Sequence, residues 1–505
     1  MSELTPVQQY YKGKTVFITG ASGFMGKVLL EKLLYSCYEL KEIIMICRSK
    51  RGKSPESRLE DMWKLPIFQR IKDERPHVLK KVTMFAGDIT NEMLGLSEEN
   101  LKYVAENTNI VFHMAATLKL EGNLTDAVNM NLAGTRRAMD VARKMKNLEA
   151  FVHLSTAFCN CDQEIMYEKV YEFPHKPEDL MRMAEWMDVQ TLDAVTPKLL
   201  SPHPNTYTYT KRLAEIYVRD QYNTMPVIIA RPSIVCPAYK EPMPGWVDSL
   251  NGPVGVMTAG GRGVIRSMLC DGELEADMIP VDVAINNLII IPYGFCQNKE
   301  RPPEIPIYNI TMPKSCRRSW MWILNNGVEL NKKYPLSWPL WYPNATLTLN
   351  KHYHWFNVIF FMWLPAILID ILLTIFGQRR FMIYIQKRIK VGLEVLQFFT
   401  TRKWDFRNDN LMKLIKTLNE KEFTVFELQC EDKEYDIEGY LEQCCLGGRL
   451  YIGKESIDTV PRAKVILTTM YILDKVCKTL ICGWFFYWIA SKIGLVDLIA
   501  EIFES

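Results

Sequence analysis

The stretch Lys14-Thr-Val-Phe-Ile-Thr-Gly20-Ala-Ser-Gly23-Phe-Met-Gly26-Lys-Val-Leu-Leu-Glu-Lys-Leu-Leu34 constrains the fold more than any other part of this chain. It reads as a buried β-strand, a turn carrying three glycines and an amphipathic helix in immediate succession. Such a turn brings bare backbone N–H groups to the positive end of a helix, where a pyrophosphate binds. Glycines by themselves also serve ordinary turns and close helix packing. The strand before them and the helix after them make cofactor binding the better reading. Gly20, Ser22, Gly23, Phe24, Met25 and Gly26 are the candidate contacts, and the expected ligand is a nicotinamide dinucleotide.

From Lys14 to about Pro237, strands and helices alternate. Further strands are expected at Lys41–Cys47, Val82–Ala86, Asn109–His113, Ala150–Leu154 and Pro226–Arg231. Helices are expected between them at Asp126–Lys146 and Thr206–Tyr222. This alternation predicts an α/β fold of Rossmann type, a doubly wound parallel sheet with ligands beyond the carboxyl ends of its strands. The Gly- and Pro-rich segment 238–263 reads as substrate-binding loops, and proline-rich 300–350 as a boundary. The expected division is an extension at 1–13, a catalytic domain at 14–300, a linker or remainder at 301–350, a helical domain at 351–460 and an apolar tail at 461–505.

Lys and Arg number 61 against 58 Asp and Glu, a balance that gives no support to nucleic-acid binding. Thirteen cysteines are scattered without CxxC spacing, which fits reduced thiols in a cytosolic setting. Met1 to Lys14 is polar, so the catalytic part is expected on the cytosolic side. The far end differs. Val465–Ala490 is apolar and aromatic, but its uncharged part, Thr479–Ala490, is short of the roughly 20 residues of a full span. Asp474, Lys475 and Lys478 interrupt it, and a tail anchor or half-buried hairpin is the reading. Trp355–Phe376 has spanning length yet contains Pro365 and Asp370, so a span and a buried helix pair stand level. Arg379, Arg380, Lys387, Arg388 and Lys390 follow and suit a cytosolic or membrane-surface face.

The chemistry concentrates at strand ends. After the second strand, Arg48 suits the 2′-phosphate of NADP, where a carboxylate would read NAD; Lys50 and Arg51 reinforce the positive field. Asp88, followed by Ile89, is placed to accept from the adenine amino group, and Ala115 and Ala116 line the next strand end. His113 reads as packing or cofactor wall instead of acid–base. Tyr207 and Lys211, four apart on a helix, share a face, while Tyr209 points elsewhere. A hydride delivered to a carbonyl carbon leaves an alkoxide that needs a proton, and a phenol made acidic by a nearby ammonium supplies it. The third member is a hydroxyl at the end of the fifth strand, Thr156 first and Ser155 the close alternative.

On these motifs the chain resembles the fatty acyl-CoA reductases of animals and plants, extended short-chain dehydrogenases with a male-sterile-type C-terminal domain. The resemblance rests on Thr19–Leu34 with its GxxGxxG spacing, Val152-His-Leu-Ser-Thr-Ala157, Thr196-Pro-Lys-Leu199 and Asn205–Glu215. It continues through Ala230-Arg-Pro-Ser-Ile-Val235, Glu241-Pro-Met-Pro-Gly-Trp246, Asn251-Gly-Pro253 and Asp277-Met-Ile-Pro-Val-Asp282. What it implies is reduction of a long-chain acyl-CoA to a primary alcohol by two NADPH, through a bound aldehyde and with release of CoA. It also implies that Arg231 and Pro232 join the cofactor set, and that Arg231, Lys240 and Gly260-Gly-Arg262-Gly263 meet CoA phosphates. An endoplasmic reticulum or peroxisomal membrane is the implied setting, with the catalytic domain facing the cytosol and a homo-oligomer compatible. The tail ends Ile-Phe-Glu-Ser505, unlike a peroxisomal Ser-Lys-Leu. The rival readings are a membrane-bound sterol dehydrogenase, a sugar-nucleotide epimerase and an inactive dinucleotide-binding scaffold. Retention of Tyr207, Lys211 and a strand-end hydroxyl speaks against the scaffold.

Overall fold

The structure is a computed structural model that describes residues 3–48, 52, 54–250, 252–298, 300–428 and 435–492. Lys50, Arg51, Asn251 and Ser505 lie outside the described residues. Seven strands make one parallel sheet: β1 (Thr15–Thr19), β2 (Glu42–Cys47), β3 (Val82–Ala86), β4 (Ile110–His113), β5 (Ala150–Leu154), β6 (Val227–Pro232) and β7 (Ile307–Ile310). Their order is β7-β6-β5-β4-β1-β2-β3, so the order reverses between β1 and β4. A crevice opens at such a reversal, beyond the carboxyl ends of the strands. β1, β4, β5 and β6 are buried along their whole length, as apolar runs are when helices cover both faces.

The helices that matter to the site are α1 (Phe24–Ser36), α2 (residues 124–142), α3 (Thr206–Asp220) and α4 (Val281–Gln297). α2 holds a π-helical turn at Val128–Leu132, which periodicity alone does not reveal. The proline-rich segment is not a plain linker. Ile307–Ile310 pairs with β6 at the sheet edge, and Trp320–Lys333 is a helix. Its flanking prolines bound a strand that needs partners on one side only. Likewise, 238–263 contains a helix, Pro253–Gly261, within what reads as loop.

Six C-terminal helices follow among the described residues: α5 (Lys351–Ile375), α6 (Met382–Thr400), the short helices Asp409–Lys416 and Glu420–Phe426, α7 (Ile437–Gly447) and α8 (Val460–Lys492). This region shares the core of the sheet. Leu411, Leu414, Ile415 and Phe426 are buried in the same cluster as Leu288 and Ile291 of α4. Among the described residues, α5 is the helix long and apolar enough to cross a membrane. It is not one of a buried helix pair: Trp355, Phe356, Leu368, Leu372 and Phe376 stand exposed. The acids that interrupt both apolar stretches turn inward. Asp370 accepts from the backbone N–H groups of Phe381, Met382 and Ile383, each at 3.0 Å, and so caps α6. Asp474 accepts from Trp341 Nε1 at 2.7 Å and pairs with Arg266.

Candidate active site

Gly20 turns the chain out of β1 with φ +78°, a left-handed conformation that side chains rarely adopt. A Cβ on Gly20 would stand 2.7 Å from Ala115 N, and one on Gly26 would collide with the backbone of Gly20 and Ala21. These two glycines let β1, the loop after β4 and the first turn of α1 come together. Gly23 is the N-cap of α1 and supplies no side-chain acceptor to its first-turn N–H groups. With Ser22, Phe24 and Met25 in that turn, the free donors and the positive helix end fit a pyrophosphate. Arg48 is exposed past the end of β2, its Nε 4.0 Å from the Asp88 carboxylate. Asp88 also accepts from Thr90 N at 3.0 Å, and Ile89 is buried against Gly134. Ala115 and Ala116 are half-buried beside the turn, and Ala115 N lies 3.3 Å from Thr19 Oγ1. His113 is fully engaged, with Nδ1 2.8 Å from Thr19 Oγ1 and Nε2 3.1 Å from Thr135 Oγ1. Burial pushes its imidazole down to about 3, with the Lys211 charge adding to the shift. It is a neutral packing group.

Asn205 starts α3 as an N-cap, its side chain accepting from Thr208 N at 2.9 Å. That fixes Tyr207 in the first turn and Lys211 one turn on. Lys211 Nζ donates to the carbonyl of Leu154 at the end of β5, at 2.7 Å. Burial lowers its ammonium to about 8, against the opposing pull of Glu215 and Cys159. The Tyr207 hydroxyl is hydrogen-bonded to Thr156, whereas Ser155 is buried beside Cys159. The expected acidification of Tyr207 is not what the packing produces. Burial pushes the phenol well up, Cys159 adds to the rise, and Thr156 opposes it. Desolvation of a buried phenol outweighs an ammonium whose proton is already directed at a carbonyl. Tyr209 points away and meets His175 Nδ1 at 2.8 Å.

Thr156 and Tyr207 open into a cavity of about 370 Å³. Its walls come from Val254 and Met257 of the 253–261 helix, Met268, Leu336, and Leu396 and Phe399 of α6. Five cysteines also line it, and burial pushes Cys236, Cys270 and Cys445 up to about 12. As protonated thiols they act as small apolar groups, poor nucleophiles toward an acyl thioester.

Two models of the male sterility proteins match the chain, the NAD-binding one over residues 18–288 and a second over residues 361–455. Fatty acyl-CoA reductase 1 of Homo sapiens is 35% identical over 461 residues, 91% of this chain and 89% of that protein. The chain belongs to the fatty acyl-CoA reductase family. Fatty acyl-CoA reductase wat of Drosophila melanogaster is 33% identical, over 91% of this chain and 88% of that protein. Among solved structures, a nonribosomal peptide synthetase reductase domain from Mycobacterium tuberculosis shares the fold, with TM-score 0.57 at 14% identity over 90% and 94% of the two chains. The terminal reductase domain of the myxalamid pathway does so at TM-score 0.55 and 16% identity, over 88% and 92%. The protein is therefore a reductase with a nicotinamide dinucleotide site, acting on fatty acyl-CoA.

In this acyl-CoA reductase Gly260 and Gly261 line the cavity, whereas Arg231 is turned to internal partners. Arg231 is buried with Glu215: Nε donates to Oε1 at 2.8 Å and an Nη to Oε2 at 2.6 Å. It also donates to the carbonyls of Tyr167 and Lys169. A guanidinium so saturated holds the loop after β5 in place and has no exposed face for a phosphate. Pro232 accepts from Ala157 N at 3.0 Å, next to Thr156. Lys240 pairs with Glu427 and Arg262 with Glu455, while Gly260 and Gly261 are helical. The reductase also uses residues that motif reading passed over. Asn131, inside the π turn of α2, accepts from Thr117 N at 2.8 Å and donates to Thr210 Oγ1 at 3.1 Å, tying the loop after β4 to α3. Glu215 completes a four-residue spacing with Tyr207 and Lys211, a signal present in the sequence. Phe158 packs edge-on against Phe399, Trp404 and Phe406, with centroids 5.6, 5.3 and 5.0 Å away. That wall of the C-terminal region carries no local signal. Trp246 stacks on Phe24 of the glycine turn at 5.4 Å, and Gly245 lies against α7 at Gln443 and Gly447.

Proposed function

We propose that this reductase converts a long-chain fatty acyl-CoA to a primary alcohol in two successive NADPH-dependent reductions, through an aldehyde that stays bound. The reading rests on one observation: the paired hydroxyls of Thr156 and Tyr207 line a largely apolar cavity. Arg48, beyond β2 at the position that reads the adenosine ribose, supports NADPH. When bound, the dinucleotide supplies the hydride. Thr156 and Tyr207 donate hydrogen bonds to the thioester oxygen and stabilise its growing negative charge. Collapse of the resulting hemithioacetal expels CoA as thiolate and leaves the aldehyde against the same two hydroxyls. In the second round Tyr207 gives its proton to the alkoxide. A phenol held protonated by burial is correctly loaded for that donation. Lys211, oriented by the Leu154 carbonyl, presents its remaining N–H groups to the cofactor ribose. Ser155 supports the strand end next to Cys159, and the phenyl wall around Phe158 keeps water from the aldehyde. The outward apolar helices support association with an endoplasmic reticulum or peroxisomal membrane, the catalytic region facing the cytosol.

Incubation of the full chain with stearoyl-CoA and NADPH, followed by gas chromatography, should give stearyl alcohol with two NADPH consumed per alcohol. Octadecanal as the sole product would restrict the reading to one round. Arg48→Glu should shift the NADPH-to-NADH ratio of kcat/KM toward NADH by about tenfold or more, the scale of one charge-assisted phosphate contact. An unchanged ratio would assign the 2′-phosphate to another residue.

A further inference from the structure

The C-terminal helices expose a continuous apolar face on α5. α5 packs one stripe inward, at Val358, Met362, Ala366 and Asp370, and keeps the opposite face apolar and exposed. Both helices of the α5–α6 pair are held against the segment 264–269. His354 of α5 lies 2.9 Å from Ser267 Oγ through Nδ1. Gln386 Nε2 of α6 donates to the Val264 carbonyl at 3.3 Å, and Thr400 Oγ1 donates to the Leu269 carbonyl at 3.2 Å. α6 therefore runs along that segment from end to end. Asp370 is level with the start of α6, four residues from Gln386, and α5 runs five residues further, so the pair reaches about 14 Å beyond Gln386 at the helical rise, less than half a bilayer core. A bilayer core is about 30 Å thick.

We infer that Lys351–Ile375 lies in the plane of a bilayer surface bearing anionic headgroups and does not cross it. The inference rests on the membrane reading above and gives it a geometry. Crossing would draw the catalytic body, joined to the pair through 264–269, into lipid along with it. Lying flat buries the outward face of Trp355, Phe356, Leu368, Leu372 and Phe376 and leaves every inward contact intact. Charge selects the partner. Between Lys351 and Gly392 the chain carries Lys351, Arg379, Arg380, Lys387, Arg388 and Lys390, all exposed, against one acid, Asp370, which is buried as the cap of α6. Exposed apolar surface rimmed by cations fits an anionic lipid surface. Segment 264–269 also carries Ile265 and Met268 of the cavity wall, so the lipid face and the substrate cavity share a wall.

The test uses the full chain. With phosphatidylcholine vesicles containing phosphatidylserine, the protein should co-sediment. Leu368→Glu combined with Leu372→Glu should cut the bound fraction at least tenfold, with thermal unfolding and detergent-assayed reductase activity unchanged. Arg379→Glu with Arg380→Glu should weaken binding only when phosphatidylserine is present. A glycosylation acceptor inserted after Gln378 should stay unmodified in microsomes and be cut by added protease. A glycosylated acceptor would overturn the in-plane geometry and leave membrane association standing. Binding unaffected by the leucine or arginine changes would move the anchor elsewhere. Failure of the wild type to sediment with vesicles would remove the membrane reading itself.

Discussion

Two apolar surfaces of this reductase are made of the same residue types and answer to opposite surroundings. The cavity is lined mainly by apolar side chains, methionine, leucine and phenylalanine among them, and the hydroxyls of Thr156 and Tyr207 face into it. The outer face of α5 beyond Lys351 and His352 is mainly tryptophan, leucine, isoleucine and phenylalanine, its single acid turned inward to cap α6. What separates them is where the polar groups point. A surface that holds a reacting molecule aims them into the apolar space, whereas one that lies against a solvent of its own kind hides them.

The sharpest way to break that contrast is to remove a hydroxyl from the inner surface. Tyr207→Phe should lower kcat by about 10³-fold, about 4 kcal/mol, with dinucleotide affinity nearly intact. Alcohol formation at the wild-type rate would dismiss the phenol as proton donor. Next in size, Glu215→Ala leaves Arg231 buried and unpaired, which should cost about 3 kcal/mol in urea unfolding. A loss no larger than that of a surface pair would mean water reaches Arg231.

The charge on Lys211 gives a smaller and pH-dependent effect. Burial sets its folded value at about 8, below its ordinary 10.5, so its ammonium is lost as pH rises through 8. In the free enzyme kcat/KM should then fall about tenfold per pH unit above 8. The unfolded chain keeps that proton up to 10.5, so this group makes the fold gain stability between pH 8 and 10.5. A kinetic limb near 10 would contradict the burial. The smallest change falls on the outer surface, where Asp370→Ala removes the cap of α6. It should cost about 1 kcal/mol in chemical denaturation with little change in kcat, and a large kinetic defect would show that the outer helices bear directly on the site.

The two hydroxyls of the inner surface fall within motifs readable from the sequence, whereas its apolar walls do not. The glycine turn, the Tyr207–Lys211 spacing and the strand-end Ser155-Thr156 pair each sit within one element and its boundary, where torsion and helical period decide position. Arg231 misled because a strand-end arginine reads as a phosphate ligand until its partner Glu215, on another element, is seen beside it. β7 was hidden because four residues among prolines carry little periodic signal, and it becomes a strand only by pairing with β6. For α5, hydropathy could state that the helix is apolar, but not which side meets protein.

The chain by itself determined a dinucleotide turn, a tyrosine and a lysine on one helical face and an apolar C-terminal region, since these follow from bond rotations and local periodicity. Tertiary structure alone decided that burial raises the Tyr207 phenol instead of acidifying it, that Phe399, Trp404 and Phe406 wall the reaction centre, and that Asp370 and Asp474 face inward. Each of those depends on desolvation or contact between residues far apart in sequence, quantities that exist only once the chain has packed.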